Sequence, residues 1–214
     1  MRFRAVEVAF SPAQLHDNNA VGAGLKGGGQ AAARLPAWFQ RLTVGAQRVY
    51  LKSDAIDRFD FTPGDTARVL ARALMLALEA GASALVERRA QLLIDELCRR
   101  ATLPRIQIQV RNVRPRDARG ELHGIFYPRG RGRVAANPYQ YSSGAAGGPL
   151  VILWMRTAQR HEVVKPKTFI RTLMHEFGHY LDYALLRLGD SPHTAGFFKR
   201  ESFLVRSLQL APHD

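Results

Sequence analysis

The sequence predicts an α+β fold, in which a mainly helical amino-terminal region (residues 1–100) precedes a region of strands and helices (residues 101–214). Three observations lead to this prediction. Apolar residues recur at helical spacing over residues 62–100, strand-like alternation begins after Pro104, and helical spacing returns over residues 165–188. A chain of 214 residues is long enough for one large domain or two small ones.

The first sixty residues carry short patterns only. Alternation within residues 6–10 predicts a strand, and the Asn, Gly and Ala residues of 17–29 predict a loop. We expect a short helix over residues 31–42 and a second strand over residues 47–52.

Two helices in tandem follow. Thr62-Pro63-Gly64-Asp65 predicts a helix start, with a capping hydroxyl, a proline at the first helical position and an acid in the first turn. This helix should run to about Glu79. Gly81 then interrupts the pattern, and a second helix is expected from Ser83 to Arg100.

Three strands are expected next, over residues 105–110, 121–127 and 149–155. The third is apolar almost throughout, which is typical of a strand covered on both faces. The second is the most polar of the three. We expect one of the three to be an edge strand, and the second is the candidate to pair with an extended peptide.

The last third of the chain is predicted to be helical. A long helix should run from Lys165 to Leu188, capped by Thr168 or a neighbour and ended by Gly189. A final helix is expected over residues 196–210.

The net charge is +13, from 31 Lys and Arg against 18 Asp and Glu. The densest basic stretch is residues 99–133, with ten arginines against two acids, a net charge of +8. Its loops, with Arg129, Arg131, Arg133 and nearby tyrosines, could bind a phosphate backbone and stack unpaired bases. The alternative is a solvated, arginine-rich hairpin.

Cys98 is the only cysteine, which excludes an internal disulfide and a cysteine-based zinc ribbon. We expect it to be a small buried hydrophobe. The amino terminus has no apolar run typical of a signal peptide, and no stretch approaches the ~20 apolar residues of a membrane span. A bacterial-type cytoplasmic or nucleoid location is expected.

The most specific motif is His175-Glu176-Phe177-Gly178-His179. Histidines four residues apart lie about 40° apart on one helix face, so both imidazoles can reach one ion. Glu176 can take a proton from a metal-bound water and pass it to a leaving amine. This is the His-Glu-x-x-His arrangement of zinc peptidases. The alternative is a chance occurrence on a solvated face, but the motif lies inside an apolar helix, where Gly178 suggests close packing.

A catalytic zinc ion needs a third protein ligand and one open position. We consider His193, then Glu201, then Asp182. His193 follows a loop that could fold back over the motif helix, and Glu201 lies on the final helix. Asp182 shares the face of His175, but it could instead orient a ligand histidine through the second ring nitrogen.

The order of a helix, three strands, the motif helix and Ser191-Pro-His193-Thr-Ala-Gly-Phe197 resembles SprT-like (Spartan-type) metalloproteases over roughly residues 104–210. The resemblance implies a zincin-like domain, with a sheet of three or more strands beside the motif helix. It also implies zinc on His175, His179 and His193, with Glu176 as the general base, and proteolysis of DNA-bound proteins. The chain departs from the family in having no cysteine-rich zinc ribbon.

The motif helix also resembles that of the ImmA/IrrE regulatory peptidases. That resemblance implies an acidic third ligand, which favours Glu201. The sequence therefore predicts a zinc metallopeptidase with a protein or peptide substrate and a DNA-binding surface. His123 and Tyr180 are candidates to stabilise an oxyanion. The alternative from another class is a non-catalytic DNA-binding protein with a structural metal.

Overall fold

The computed structural model describes residues 6–9, 37–117, 120–128 and 148–210. Its architecture is α+β, as predicted. In chain order, the elements are β1 (Val6–Ala9), a 3-10 helix (Ala37–Arg41), α1 (Val44–Asp54), α2 (Asp65–Glu79), α3 (Ser83–Arg100), β2 (Gln107–Val113), β3 (Arg116–Asp117), β4 (Gly120–Tyr127), β5 (Leu150–Arg156), α4 (Pro166–Ala184) and α5 (Ala195–Ser207).

The amino-terminal elements confirm the first predicted strand and overturn the second. Residues 47–52 lie within helix α1, not a strand. Thr43 caps this helix, because its hydroxyl accepts a hydrogen bond from the backbone N–H of Ala46 at 3.2 Å. This cap and the contact of α1 with α5 outweigh the strand preference of the valine and tyrosine in the segment. The predicted loop 17–29 lies outside the described residues.

Helices α2 and α3 lie where they were predicted, but α2 begins differently. Gly64 occupies its N-cap position without a side-chain cap, so Thr62 does not cap the helix. Gly81 separates the two helices with a φ of 68°, a conformation that glycine adopts at little cost. Arg99 and Arg100 lie in the last turn of α3, where basic side chains interact favourably with the helix dipole.

The sheet has the strand order β1-β4-β5-β2, and the two-residue strand β3 pairs with β4. β2 is parallel to β5, whereas β4 is antiparallel to β5. Consecutive side chains of β5 are buried on both faces, as its apolar sequence predicted.

One of the three predicted strands, β2, is an edge of the sheet as expected, but β4, the strand expected to pair with a peptide, is not. β1 pairs with it antiparallel, with Val6 opposite Phe126 and Ala9 opposite Leu122. The partner strand comes from the first ten residues, so the local pattern of β4 does not reveal it.

At the other edge of the sheet, side chains of α3 cover the outer edge of β2. The backbone N–H of Ile108 donates to Gln91 Oε1 at 2.9 Å, and that of Val110 donates to Glu87 Oε2 at 2.8 Å. Gln91 Nε2 donates in turn to the carbonyl of Ile106 at 3.0 Å. These two backbone donors on the outer edge of β2 are thus satisfied by side chains.

The main core lies between one face of the sheet and helices α2, α3 and α4. It joins residues from both predicted regions, such as Leu74 and Leu93 with Met155 and Ile170. The predicted boundary at residue 100 falls between α3 and β2, which pack against each other. A smaller cluster on the other face comprises Leu122, Ile125, Tyr127, Leu150, Ile152 and Trp154.

The two last helices form as predicted, with corrected ends. α4 ends at Ala184, four residues before Leu188, and Lys165 occupies its N-cap position without a side-chain cap. A proline at the first helical position favours this start. Thr194 caps α5 by accepting the N–H of Phe197 at 3.0 Å. No helix among the described residues is long and apolar enough to cross a membrane.

Candidate metal centre

Three histidine side chains meet beside the sheet. His175 and His179 lie one turn apart on α4, and His193 lies in the loop before α5. The distance between Nε2 atoms is 3.2 Å for His175 and His179, 3.1 Å for His175 and His193, and 3.1 Å for His179 and His193. We call these three residues the histidine cluster.

The histidine cluster could hold one metal ion. Nitrogen ligands at about 2.0–2.1 Å from a tetrahedral zinc ion lie about 3.3–3.4 Å apart, close to the separations of the three Nε2 atoms. The lone pairs of three nitrogen atoms that face one another repel. A cation shared by the three atoms attracts all of these lone pairs instead. The donor set and its spacing therefore fit a zinc-sized cation.

The outer nitrogen of His175 is held by Glu201. Its Nδ1–H donates to Glu201 Oε2 at 2.9 Å, and Arg171 Nε donates to the other carboxylate oxygen at 2.9 Å. Burial acts to raise the pKa of Glu201, but His175 and Arg171 together leave it below its ordinary value. An ionised carboxylate on Nδ1 fixes the tautomer in which Nε2 presents its lone pair to an ion.

The outer nitrogen of His179 is held by a serine. Its Nδ1 lies 2.7 Å from Ser191 Oγ, which donates to Asp182 Oδ2 at 2.8 Å. The hydroxyl therefore accepts from the imidazole, and the Nε2 of His179 also faces the cluster as an acceptor. Burial lowers the pKa of His179 well below its usual value, and burial lowers that of His193 to about 4. These two rings are thus neutral near pH 7, as metal ligation requires.

Glu201 and Asp182, the two acidic alternatives for the third ligand, both lie behind the imidazoles. The first contacts Nδ1 of His175, and the second reaches His179 through Ser191. His193 occupies the third corner of the cluster. Carboxylates in such positions orient ligand histidines and raise their basicity.

A buried arginine links this arrangement to α1. Arg200, 1% exposed, donates from Nη2 to both oxygens of Asp182 at 2.9 Å. It also donates to the carbonyls of Ser53, at 2.6 Å, and of Ile56. The hydroxyls of Ser53 and Thr194 lie 3.1 Å apart. The segment that carries His193 is therefore attached to the end of α1.

Gly196 allows that attachment. Its N–H donates to Asp54 Oδ1 at 3.1 Å, and a Cβ at this position would meet the backbone carbonyls of Asp54 and Ile56 at 2.6 and 2.8 Å. No larger residue fits without moving α1 away from α5. Neither this contact nor the attachment of Arg200 to α1 follows from the sequence, because the partners on α1 lie more than 140 residues away.

Gly178 and Phe197 pack the other side of the cluster. The Phe197 ring stacks on His179, with centroids 4.7 Å apart, and meets the edge of His175 at 5.0 Å. A Cβ on Gly178 would lie 3.4 Å from that ring, in van der Waals contact with it. The close packing suggested by the glycine in the motif is thus a helix–helix contact between α4 and α5.

Glu176 is 1% exposed and lies against β4. A Cβ on Gly124 would come within 2.7 Å of its Oε1, so the glycine makes room for the carboxyl group. Its Oε2 has no hydrogen-bond partner among the residues that the structure describes. Burial, followed by the charge of Glu201, raises its pKa well above the ordinary value. A carboxyl with a raised pKa and a free oxygen is suited to accept and return a proton.

The other residues singled out in the sequence are not members of the histidine cluster. The Tyr180 hydroxyl donates to the carbonyl of Pro104 at 2.7 Å and is committed to that contact. Burial lowers the pKa of His123 to about 4. Cys98 is buried, as expected, and burial raises the pKa of its thiol to about 12.

The basic stretch is partly neutralised within the fold. Arg99 and Arg100 pair with Glu96, and the buried Arg114 lies 3.5 Å from Glu121. Arg129, Arg131 and Arg133, the arginines predicted to contact nucleic acid, lie outside the described residues.

Comparison of the chain with the models of known protein families, with curated proteins and with solved structures gave no match. The histidine cluster and its neighbours are therefore the features of this chain that point to a function.

Proposed function

We propose that this chain is a zinc-dependent metallopeptidase with a zincin-like fold. The observation that carries the proposal is the histidine cluster, with three Nε2 atoms within 3.2 Å of one another and Glu176 beside the first ligand. Three histidine ligands and no fourth protein ligand are typical of catalytic rather than structural zinc. Among the described residues, the group that could hold the ion contains these three side chains alone.

The chemistry divides between the ion and the chain. When bound, zinc supplies a Lewis acid that polarises a carbonyl and makes water more acidic. Glu176 then receives a proton from the attacking water through its unpartnered oxygen and returns it to the leaving amine. Glu201 and Ser191 keep the imidazoles of His175 and His179 aimed inward throughout. No covalent enzyme intermediate is needed.

The position of His193 supports the SprT-like resemblance over the ImmA/IrrE one, because the latter implied an acidic third ligand. The zincin-like fold is supported by the motif helix packed against β4 and β5. The proposal that the substrate is a DNA-associated protein rests on the charge of +13 alone.

The test compares Glu176→Gln with His175→Ala. We expect the glutamine variant to keep one equivalent of zinc by elemental analysis and to lose protein cleavage by about 10²–10⁴-fold, the usual contribution of a general base. The His175→Ala variant should lose both zinc and cleavage.

Cleavage is measured on an unfolded protein substrate, with and without single-stranded DNA. A glutamine variant as active as the wild type would overturn the proposed role of Glu176. Stoichiometric zinc without cleavage of any substrate would favour a structural metal instead.

A further inference from the structure

A pocket of about 270 Å³ lies beside the histidine cluster. One wall comes from the 3-10 helix and α1, and the other from the loop that carries His193. Its lining comprises Trp38, Leu42, Ala46, Val49, Tyr50, Asp190, Pro192 and His193. His193 therefore belongs both to the candidate metal centre and to the pocket.

The lining of the pocket is mainly apolar. Six of its eight residues are aliphatic or aromatic, and the carboxylate of Asp190 belongs to an exposed residue. Trp38 is 47% exposed and meets Tyr50 edge to face, with ring centroids 5.3 Å apart. A half-exposed tryptophan beside a tyrosine is typical of a binding surface, where such residues contribute much of the affinity.

The size of the pocket suits one large side chain. A cavity of roughly 150 Å³ accepts a benzene molecule. Pockets for drug-sized ligands span about 300–1,000 Å³. At about 270 Å³, this pocket holds an aromatic or branched aliphatic side chain with room for its attachment to a backbone.

The two walls are fixed to each other, so the pocket is formed before a ligand arrives. Lys52 Nζ donates to the carbonyl of Leu186 at 2.7 Å, and the contact of Ser53 with Thr194, described above, is a second tie between the walls. Within the first wall, Gln47 Nε2 joins α1 to the carbonyls of Phe39 and Leu42 at 3.2 Å. Preformed pockets bind more tightly because less conformational entropy is lost.

We propose that this pocket receives one uncharged, apolar side chain of the polypeptide substrate, next to the bond that is cut. The inference rests on the proposed function. An extended peptide advances about 3.3 Å per residue, so a side chain seated against His193 leaves its own backbone within one or two residues of the cluster. A lysine or arginine is disfavoured, because it would approach both a divalent cation and a chain with a net charge of +13.

Binding is tested without turnover in the Glu176→Gln protein loaded with zinc. The chain has two tryptophans, and Trp154 is buried, so Trp154→Phe leaves Trp38 as the reporter. The probes are capped tripeptides with phenylalanine, leucine, alanine or lysine between two glycines. We expect saturable fluorescence changes for phenylalanine and leucine, with at least tenfold weaker binding of alanine and lysine.

A filled pocket supplies the matched control. Ala46→Phe places a ring in the pocket and should abolish binding of the phenylalanine peptide. Leu76→Phe adds a ring on α2, at a residue that is 66% exposed, and should leave binding unchanged. If Trp154→Phe fails to fold, calorimetric titration of Glu176→Gln with both tryptophans gives the same comparison. Equal binding of lysine and phenylalanine peptides, or binding that survives Ala46→Phe, would overturn the inference.

Cleavage-site profiling separates this inference from the proposed function. Wild-type digests should show at least tenfold enrichment of large apolar residues at one position beside the cut, and Ala46→Phe should erase it without loss of zinc. Cleavage with no such preference, together with no peptide binding, would overturn the proposed role of the pocket but not the proposed peptidase activity. Peptide binding by a wild-type protein that cleaves no substrate would overturn the proposed peptidase activity but not peptide binding by the pocket.

Discussion

The three ligands of the candidate metal centre are positioned in two different ways. His175 and His179 lie on one face of α4 because helix geometry places them there. His193 lies in a loop and reaches the same point because α5 is attached to α1 through Arg200, Ser53 and Gly196. Two of the three ligands are thus placed by local structure, and the third depends on contacts between α1 and α5, which lie far apart in sequence.

The metal centre is therefore more vulnerable around its loop histidine than around its helix pair. A helix keeps its two histidines in place without help from distant residues, once its apolar face is packed. The loop histidine has no such internal constraint. Changes to α1 should therefore weaken the metal centre even though no residue of α1 belongs to the cluster.

Removal of a ligand should have the largest effect and should distinguish the two halves. We expect His179→Ala to lose its zinc completely on dialysis, because one helix histidine and one loop histidine cannot hold the ion. His193→Ala should retain weak, exchangeable zinc on the helix pair. Zinc content before and after dialysis gives the comparison, and a His179→Ala protein that keeps its full equivalent would contradict this ligand set.

Loss of Arg200 should be next in size. Arg200→Met leaves the buried carboxylate of Asp182 without its partner, and breaking a buried pair costs about 3–5 kcal/mol. Urea unfolding of the zinc-free protein measures the change in the free energy of unfolding. The control is Arg105→Met, since the side chains of Arg105 and Asp95 are 68% and 35% exposed and their pair should contribute at most about 1 kcal/mol. Equal effects of the two substitutions would show that the attachment to α1 is not important for stability.

Two glycines offer a sharper comparison. Gly196→Ala should destabilise the fold by about 1–3 kcal/mol, because the new methyl group overlaps the carbonyls at the end of α1. Gly45→Ala lies on α1 itself with no atom within 4 Å of the new methyl group, and should stabilise the fold by about 0.5–1 kcal/mol. Thermal and urea unfolding measure both. Shifts of the same sign would mean that α1 and α5 are not in close contact.

The smallest effect concerns the outer partner of a helix ligand. Ser191→Ala removes the acceptor of His179 Nδ1 and should weaken zinc affinity about 10–100-fold, the usual loss for such partners. Competition with a chromogenic chelator measures the dissociation constant. Ser207→Ala is the control and should leave affinity unchanged, since Ser207 ends α5 and its carbonyl accepts from Arg68 of α2.

Much of the local structure could be predicted from the sequence, since helical spacing and strand alternation are properties of neighbouring residues. The motif on α4 and the three strands before it are examples. The valine and tyrosine of residues 47–52 favour a strand, so the local pattern predicts one. The segment is helical because Thr43 caps α1 and α1 packs on α5. Pairing of β1 with β4 was missed because strand order depends on partners more than 100 residues apart.

The candidate site shows the same division. The motif predicts His175, Glu176 and His179, and the loop suggests His193. Arg200 and Ser53 could not be predicted, because nothing near an arginine on a helix indicates that it will be buried against the carbonyls of another helix. Ser191 carries a weak signal, since it lies two residues before His193, but its orientation toward His179 depends on Asp182.

The side chains of Glu87 and Gln91 on the outer edge of β2 have a consequence for self-association. An open edge strand invites pairing with the edge of another copy, and repeated pairing builds filaments. Here the backbone donors of Ile108 and Val110 are already occupied by a helix of the same chain. Growth of the sheet through this side would first require displacing α3, so polymerisation by strand addition is disfavoured at this boundary.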